Sequence, residues 1–66
     1  MAKFIEVIDN RGIKHYINIA KIEQVYELGV KDKETCICLP HDRILILTPY
    51  KDIVKMINKK GGFPWL

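Results

Sequence analysis

The chain has 66 residues, of which 48% are hydrophobic and 29% are charged, and its formal net charge is +3. A chain this short forms one domain that buries only roughly 60% of its unfolded surface, so association with a second copy would add useful stability. The composition excludes the disordered class, and no apolar run reaches the ~18 residues of a membrane span. Basic and acidic residues are interspersed, which gives little support for a polyanionic partner.

The cysteines and the N-terminus indicate the cellular compartment. Cys36 and Cys38 are separated by one residue, so on an extended strand their side chains lie parallel on one face, where a mutual disulfide would be strained. Reduced thiols are typical of a reducing compartment. The first residues alternate with acidic ones and lack the pattern of a secretory signal. We therefore expect a cytoplasmic protein.

A β-hairpin is predicted at the start of the chain. A strand over 4–8 meets the turn formers of 9–12, among which glycine readily takes a positive φ, and a second strand returns over 13–17. Alternation along the second strand separates its two faces. The face predicted to be buried carries Ile13, His15 and Ile17. The face predicted to be exposed carries Lys14, Tyr16 and Asn18.

The middle of the chain is predicted to continue the sheet. A bend or short helical turn is expected over 18–21, and alternating apolar and polar residues over 22–28 indicate a third strand. A helical period near 3.6 fits the same short window, so helix stays open as the alternative. The charged segment 29–34 is predicted to be the tip of a second hairpin.

Two further strands are predicted around Pro40. A β-branched and apolar strand over 35–39 ends there, because proline cannot donate to a central ladder. A tight turn at 41–42 leads into a strand over 43–48. Residues 44–47 are all apolar, so this strand cannot present an ordinary polar face to water. We expect its second face to be covered by the curled sheet, by the C-terminal tail or by a second subunit.

A helix over 49–60 is predicted after this strand. Thr48 is suited to cap the helix, and Pro49 to occupy its first position, where a missing N–H donor has no cost. The glycines at 61–62 are predicted to end it in the left-handed conformation. An apolar tail follows over 63–66. The apolar stripe of the helix, at helical spacing, consists of Tyr50, Ile53, Val54 and Ile57.

Together these elements predict an α+β fold that is mainly β. We expect a small antiparallel, strongly twisted sheet or partial barrel of about five strands with one C-terminal helix. Residues 1–60 are predicted to form a single β-rich domain, and residues 61–66 an apolar tail. The sequence contains no internal repeat, linker or low-complexity segment that would divide the chain further.

The sequence offers no side-chain set that specifies catalysis or cofactor binding. Cys36, Cys38, His41 and His15 are candidate metal ligands, but a reduced cysteine on a strand is more often a small hydrophobic residue. The histidines lack a nucleophile to activate, because the chain contains no serine. The glycines form no phosphate-binding loop. We predict a non-enzymatic protein with no metal, no other cofactor and no small-molecule substrate.

Association with another protein chain is the leading functional hypothesis. Terminal aromatic residues are typical anchors in partner pockets, and an apolar strand with an uncovered face favours association. The candidate contact residues are Ile44, Ile46, Phe63, Trp65 and Leu66. Packing of the tail across the chain's own sheet is the competing interpretation. The expected partner is a second copy or another protein, and no membrane contact is expected.

Nucleic-acid binding is the alternative function. Lysines that recur every four residues along the predicted helix would present their charges to phosphates from one side, namely Lys51, Lys55 and Lys59. Lys14 and Tyr16, on the exposed face of the second strand, would add a stacking position of the kind that small RNA-binding sheets use. An ordinary solvated helix face produces the same lysine pattern, so this hypothesis ranks second.

The order of motifs resembles the small FlbD-type flagellar accessory proteins. The resemblance rests on Gly12-x-x-x-Tyr16-Ile17-Asn18, on Ile22 and Val25, on Thr35-x-Ile37-x-Leu39, and on the strand-to-helix join from Ile46 to Ile57. It covers most of the chain in layout and implies a small β-rich domain with a regulatory or accessory role in flagellar assembly. The chain departs from the family at Leu47-Thr48-Pro49, where an acidic residue before a serine is usual, and in its tail. The resemblance implies no functional residue.

Overall fold

The computed structural model describes residues 2–29 and 34–62. The elements in chain order are β1 (Phe4–Ile8), β2 (Lys14–Asn18), a 3-10 helix (Ile19–Lys21), β3 (Gln24–Leu28), β4 (Glu34–Leu39), β5 (Asp42–Ile46) and α1 (Tyr50–Lys59). The predicted class, α+β and mainly β with five strands and a C-terminal helix, is confirmed. The window for which helix stayed open is strand β3, and the predicted short helical turn is the 3-10 helix.

The five strands divide into two antiparallel sheets. β1 pairs with β2, and β4 lies between β3 and β5. An isolated antiparallel bridge between Asp9 and Ile46 joins the two sheets. Beside this bridge, the backbone N–H of Asn10 donates to the carbonyl of Leu45 at 2.8 Å. The strands therefore follow one another in space as β2-β1-β5-β4-β3, with β2 and β3 at the two ends.

Isoleucine dominates the hydrophobic core. Alternation turns every second side chain of a strand inward, and β-branched side chains pack well on a pleated surface. On α1, Ile53 and Ile57 are four residues apart and lie on one face. The core draws on both sheets, the 3-10 helix and α1, and its members are Ile5, Val7, Ile17, Ile19, Ile22, Ile37, Ile44, Ile46, Ile53 and Ile57.

Helix α1 begins after Pro49, not after Thr48. Pro49 occupies the cap position, and its carbonyl accepts the backbone N–H groups of Asp52 and Ile53 at 3.0 and 3.1 Å. The prediction that Thr48 caps the helix is wrong. The carbonyl of Thr48 accepts the hydroxyl of the buried Thr35 at 2.7 Å, so a contact with β4 fixes this residue before the helix starts.

Two other local predictions also need correction. The turn between β4 and β5 was expected at 41–42, but Leu39 pairs with Asp42, so the turn residues are 40–41. Ile13 was expected on the buried face of β2, yet its side chain is 47% exposed because it precedes the strand and belongs to the turn. The predicted end of the helix is confirmed, since Gly62 has a φ of 76° and donates its N–H to a carbonyl of the last helical turn.

Candidate protein-binding surface

A buried aspartate fixes the turn of the β1–β2 hairpin. Oδ1 of Asp9 accepts the backbone N–H groups of Arg11 and Ile13 at 2.8 and 2.9 Å, and Oδ2 lies 2.8 Å from Nε2 of His15. The hydrogen bond with His15 is the largest cause that lowers the pKa of Asp9 well below its usual range. Burial opposes this lowering, whereas the two backbone N–H groups and the charge of Arg11 add to it. The ionised carboxylate therefore holds the hairpin tip in one geometry.

The pairing of Asp9 with His15 also resembles the orienting half of a catalytic triad. Such a pair needs a nucleophile beside the imidazole, and the chain contains no serine. The two thiols of β4 alternate with the core residue Ile37, so they lie on the face of the sheet that points away from the core. What the geometry shows for the pair is its place in the hydrogen bonds of the hairpin turn.

Exposed apolar side chains from both sheets meet on the face away from the core. Because Asp9 lies opposite Ile46 in the bridge, the antiparallel register places Ile8 beside Leu47. Their side chains are 52% and 65% exposed, respectively. Leu45, two residues earlier in β5, continues this row and is half-buried. We call Ile8, Leu45 and Leu47 the outer apolar patch.

An aromatic pair extends the outer face along the hairpin. The rings of Phe4 and Tyr16 are stacked, with centroids 4.7 Å apart and an interplanar angle of 6°. Tyr16 is 71% exposed, and a salt bridge of 3.9 Å joins Lys14 to Glu6 on the same face. Phe4 was not singled out from the sequence. The signal that would have found it is the alternation of β1 combined with its register against β2.

A groove runs beside the edge of β2 that faces away from β1. Its volume is about 570 Å³. One wall consists of residues 15–18 with Lys21, and the other consists of residues 39–42 with Ile44. The turn between β4 and β5 thus approaches the outer edge of the hairpin and leaves a channel between the two sheets.

The predicted partner-binding residues fall into two groups. Ile44 and Ile46 have exposures of 6% and 0% and fill the core, so the accessible apolar residues of this segment are its neighbours Leu45 and Leu47. The predicted contacts in the tail lie outside the residues that the structure describes: Phe63, Trp65 and Leu66.

The predicted nucleic-acid contacts form two separate surfaces. Three of the predicted contacts are exposed lysines of α1, on the side opposite the core residues of the helix: Lys51, Lys55 and Lys59. Lys14 and Tyr16 lie on the outer face of the hairpin, where they alternate with the core residue Ile17. The core therefore separates the helical lysines from the hairpin pair.

The two cysteines of β4 differ in burial, and the surroundings of Cys38 raise the pKa of its thiol. Cys36 is buried and Cys38 is half-buried, and both thiols are free. Burial is the largest cause that raises the pKa of Cys38, and the hydrogen bond with Cys36 is the largest cause that raises the pKa of Tyr26. Within residues 2–29 and 34–62, no three histidine, cysteine or acidic side chains are grouped so that they could hold a metal ion.

The chain matches no family model, no curated protein and no solved structure. In the part of the chain that the structure describes, no helix has both the length and the apolar character needed to cross a membrane.

Proposed function

We propose that this protein is a small, non-enzymatic, cytoplasmic module that acts through self-association by its outer apolar patch. The observation that carries the proposal is the exposure of Ile8 and Leu47 side by side at the junction of the two sheets. Adjacent exposed apolar side chains of this size favour burial against another surface. A second copy supplies an identical apolar row, so a two-fold axis through the patch would bury both rows together.

The charges around the patch also favour a second copy. On the hairpin Glu6 lies next to Lys14, and across the patch the outward residues of β4 and β5 include Glu34 and Arg43. Both signs are therefore present on one face, which suits a surface that pairs with itself, because an acidic group of one copy then meets a basic group of the other. A polyanion would meet carboxylates on the same face.

Replacing Leu47 by glutamate tests this proposal. We expect the unaltered chain to have a mass near twice 7.7 kDa at high micromolar concentration and the Leu47→Glu variant to be a monomer, because a buried unpaired charge strongly disfavours association. Light scattering coupled to size-exclusion chromatography measures both masses. Lys55→Glu, which also places an acidic residue at an exposed site but on α1, is the matched control and should remain a dimer. A monomeric unaltered chain would contradict the proposal.

Nucleic-acid binding is a second proposal, supported by the aromatic pair. Phe4 covers one face of the Tyr16 ring, and the ring remains 71% exposed, so its other face is available to a base. Lys14 lies two residues away on the same face. Retention of a single-stranded oligonucleotide that weakens steeply with salt would support this function. Absence of retention at low ionic strength would exclude it, because electrostatic attraction is strongest there.

An accessory role in flagellar assembly is a further proposal that rests on the sequence resemblance alone. The motif Gly12-x-x-x-Tyr16 contributes a turn glycine and an outer-face aromatic residue to the hairpin. Both are residues that other small β-rich domains also use. The genes that neighbour this one test the proposal, since flagellar components among them would support it.

A further inference from the structure

The backbone of β2 has one edge that is paired and one that is not. At one end of the hairpin the N–H of Asp9 donates to the carbonyl of Ile13 at 2.8 Å. At the other end the N–H of Ile19 donates to the backbone carbonyl of Lys3 at 2.9 Å. Hydrogen-bonded pairs alternate along an antiparallel ladder, so His15 and Ile17 are the β2 residues that bond to β1. The N–H and C=O groups of the intervening residues therefore point to the other edge.

Tyr16 is the centre of this unpaired edge. Among residues 2–29 and 34–62, β2 has β1 as its single strand neighbour, and the backbone of Tyr16 makes no bond to any other element. An exposed edge of this kind is a template for a further strand. The groove of about 570 Å³ lies directly against it and includes Tyr16 in its wall.

The groove suits a single extended peptide. The groove is bounded by β2 on one side and by the β4–β5 turn on the other, so it suits an extended segment better than a broad surface. A strand added to β2 would lie roughly 4.8 Å from it. Its apolar lining consists of Ile17, Leu39, Pro40 and Ile44. Alternate side chains of an added strand would point toward this lining.

The charges of the walls indicate which peptide would bind. Lys21 and the imidazole of His41 line the groove with the carboxylate of Asp42, whereas Nε2 of His15 is already bonded to Asp9. Oδ1 of Asp42 accepts the backbone N–H of its neighbour Arg43 at 2.7 Å, so this oxygen is already hydrogen-bonded within the protein. An acidic peptide is complementary to the remaining donors.

We infer that the groove is a docking site for an extended acidic peptide with apolar residues at alternate positions, which adds a strand to the free edge of β2. This site differs from the outer apolar patch and does not rest on self-association. Main-chain hydrogen bonds centred on Tyr16 supply the affinity, and the apolar lining and Lys21 supply the selectivity.

Peptide titrations observed by NMR test the inference. The probe is acetyl-Glu-Val-Thr-Val-Glu-amide, compared with versions in which both glutamates are replaced by glutamine or by lysine. We expect saturable shifts of the Tyr16 amide, with binding strongest for the acidic peptide and weakest for the basic one. The difference between the three should shrink as salt screens the charges.

A proline substitution separates strand addition from ordinary side-chain contact. Tyr16→Pro removes the edge N–H without removing a bond to β1, because proline is tolerated where a strand N–H points away from the ladder. We expect this variant to bind the acidic peptide roughly tenfold more weakly or worse. Tyr16→Val also loses the phenol but keeps the N–H, and it should bind as the unaltered chain does.

Three results would overturn the inference. The first is the absence of amide shifts with all three peptides at millimolar concentration. The second is equal binding by Tyr16→Pro and Tyr16→Val, with amide spectra that show both variants folded, which would assign the contact to side chains. The third is a shift of the β2 amides on raising the concentration of the Leu47→Glu variant without peptide, which would make a second copy the occupant of the edge. The mass of the Leu47→Glu variant measured by light scattering tests the proposed self-association, and it does not bear on the peptide site.

Discussion

Replacing Ile46 by alanine is expected to remove a large share of the stability of the fold. Its side chain is fully buried, and its backbone forms the bridge that joins the two sheets. Truncating such a residue to alanine costs about 2–5 kcal/mol. A domain of this length has a total stability of roughly 3–10 kcal/mol. Urea unfolding followed by circular dichroism measures the loss.

The adjacent leucine provides the control for this experiment. Leu47 is 65% exposed, and Leu47→Ala should change the free energy of unfolding by less than about 0.5 kcal/mol. The comparison belongs at low micromolar concentration, where self-association adds little to the apparent stability. Equal losses at the two neighbouring positions would contradict the assignment of Ile46 to the core and of Leu47 to the outer apolar patch.

The second large effect is expected at Asp9. Asp9→Ala removes the acceptor of two backbone N–H groups and the partner of His15, and it should lower the melting temperature by more than about 10 °C. Asp9→Asn retains an oxygen for the backbone groups but loses the charge, so its loss should be smaller. Thermal unfolding at neutral pH ranks the two variants against the unaltered chain.

The same residue predicts how stability depends on pH. The pKa of Asp9 is lower in the folded chain than its ordinary value of 3.8, so its contribution is fully present above that value. The contribution is lost as the pH falls from about 4 toward the lowered folded pKa. The melting temperature of Asp9→Asn should therefore fall less in acid than that of the unaltered chain. Asp52→Asn, an exposed site on α1, should keep the full acid dependence, and equal profiles for all three proteins would refute the role of Asp9.

Local signals in the sequence were sufficient for most of the element boundaries. Gly12 in the hairpin turn and the two glycines after α1 have positive φ, a conformation that few other residues adopt. The positions of this turn and of the helix end therefore follow from residue type. The strand at 24–28 was less secure, because its short window fits two periods. Pairing with β4 decides it, and that contact lies outside the window itself.

The features that escaped prediction depend on contacts between distant residues. Thr48 has the residue type of a helix cap, but its carbonyl is held by Thr35 on another strand. Residues 44–47 are apolar throughout, so no alternation indicates which of them faces the core. The bridge with Asp9 sets that register, and it turns Ile46 inward and leaves Leu47 exposed. The outer apolar patch could therefore not be assembled from sequence alone.

The bridge between Asp9 and Ile46 also bears on the speed of folding. Each sheet is built from strands that are neighbours in sequence, so its ladder closes over a short loop. Joining the two sheets instead closes a loop of more than half the chain. The entropy cost of that closure must be overcome before the contacts of the core stabilise the fold. We expect the closing of this long loop, rather than either ladder, to set the folding rate. Changes at the junction should then slow folding, whereas changes confined to the Phe4–Tyr16 pair should leave the rate unaltered.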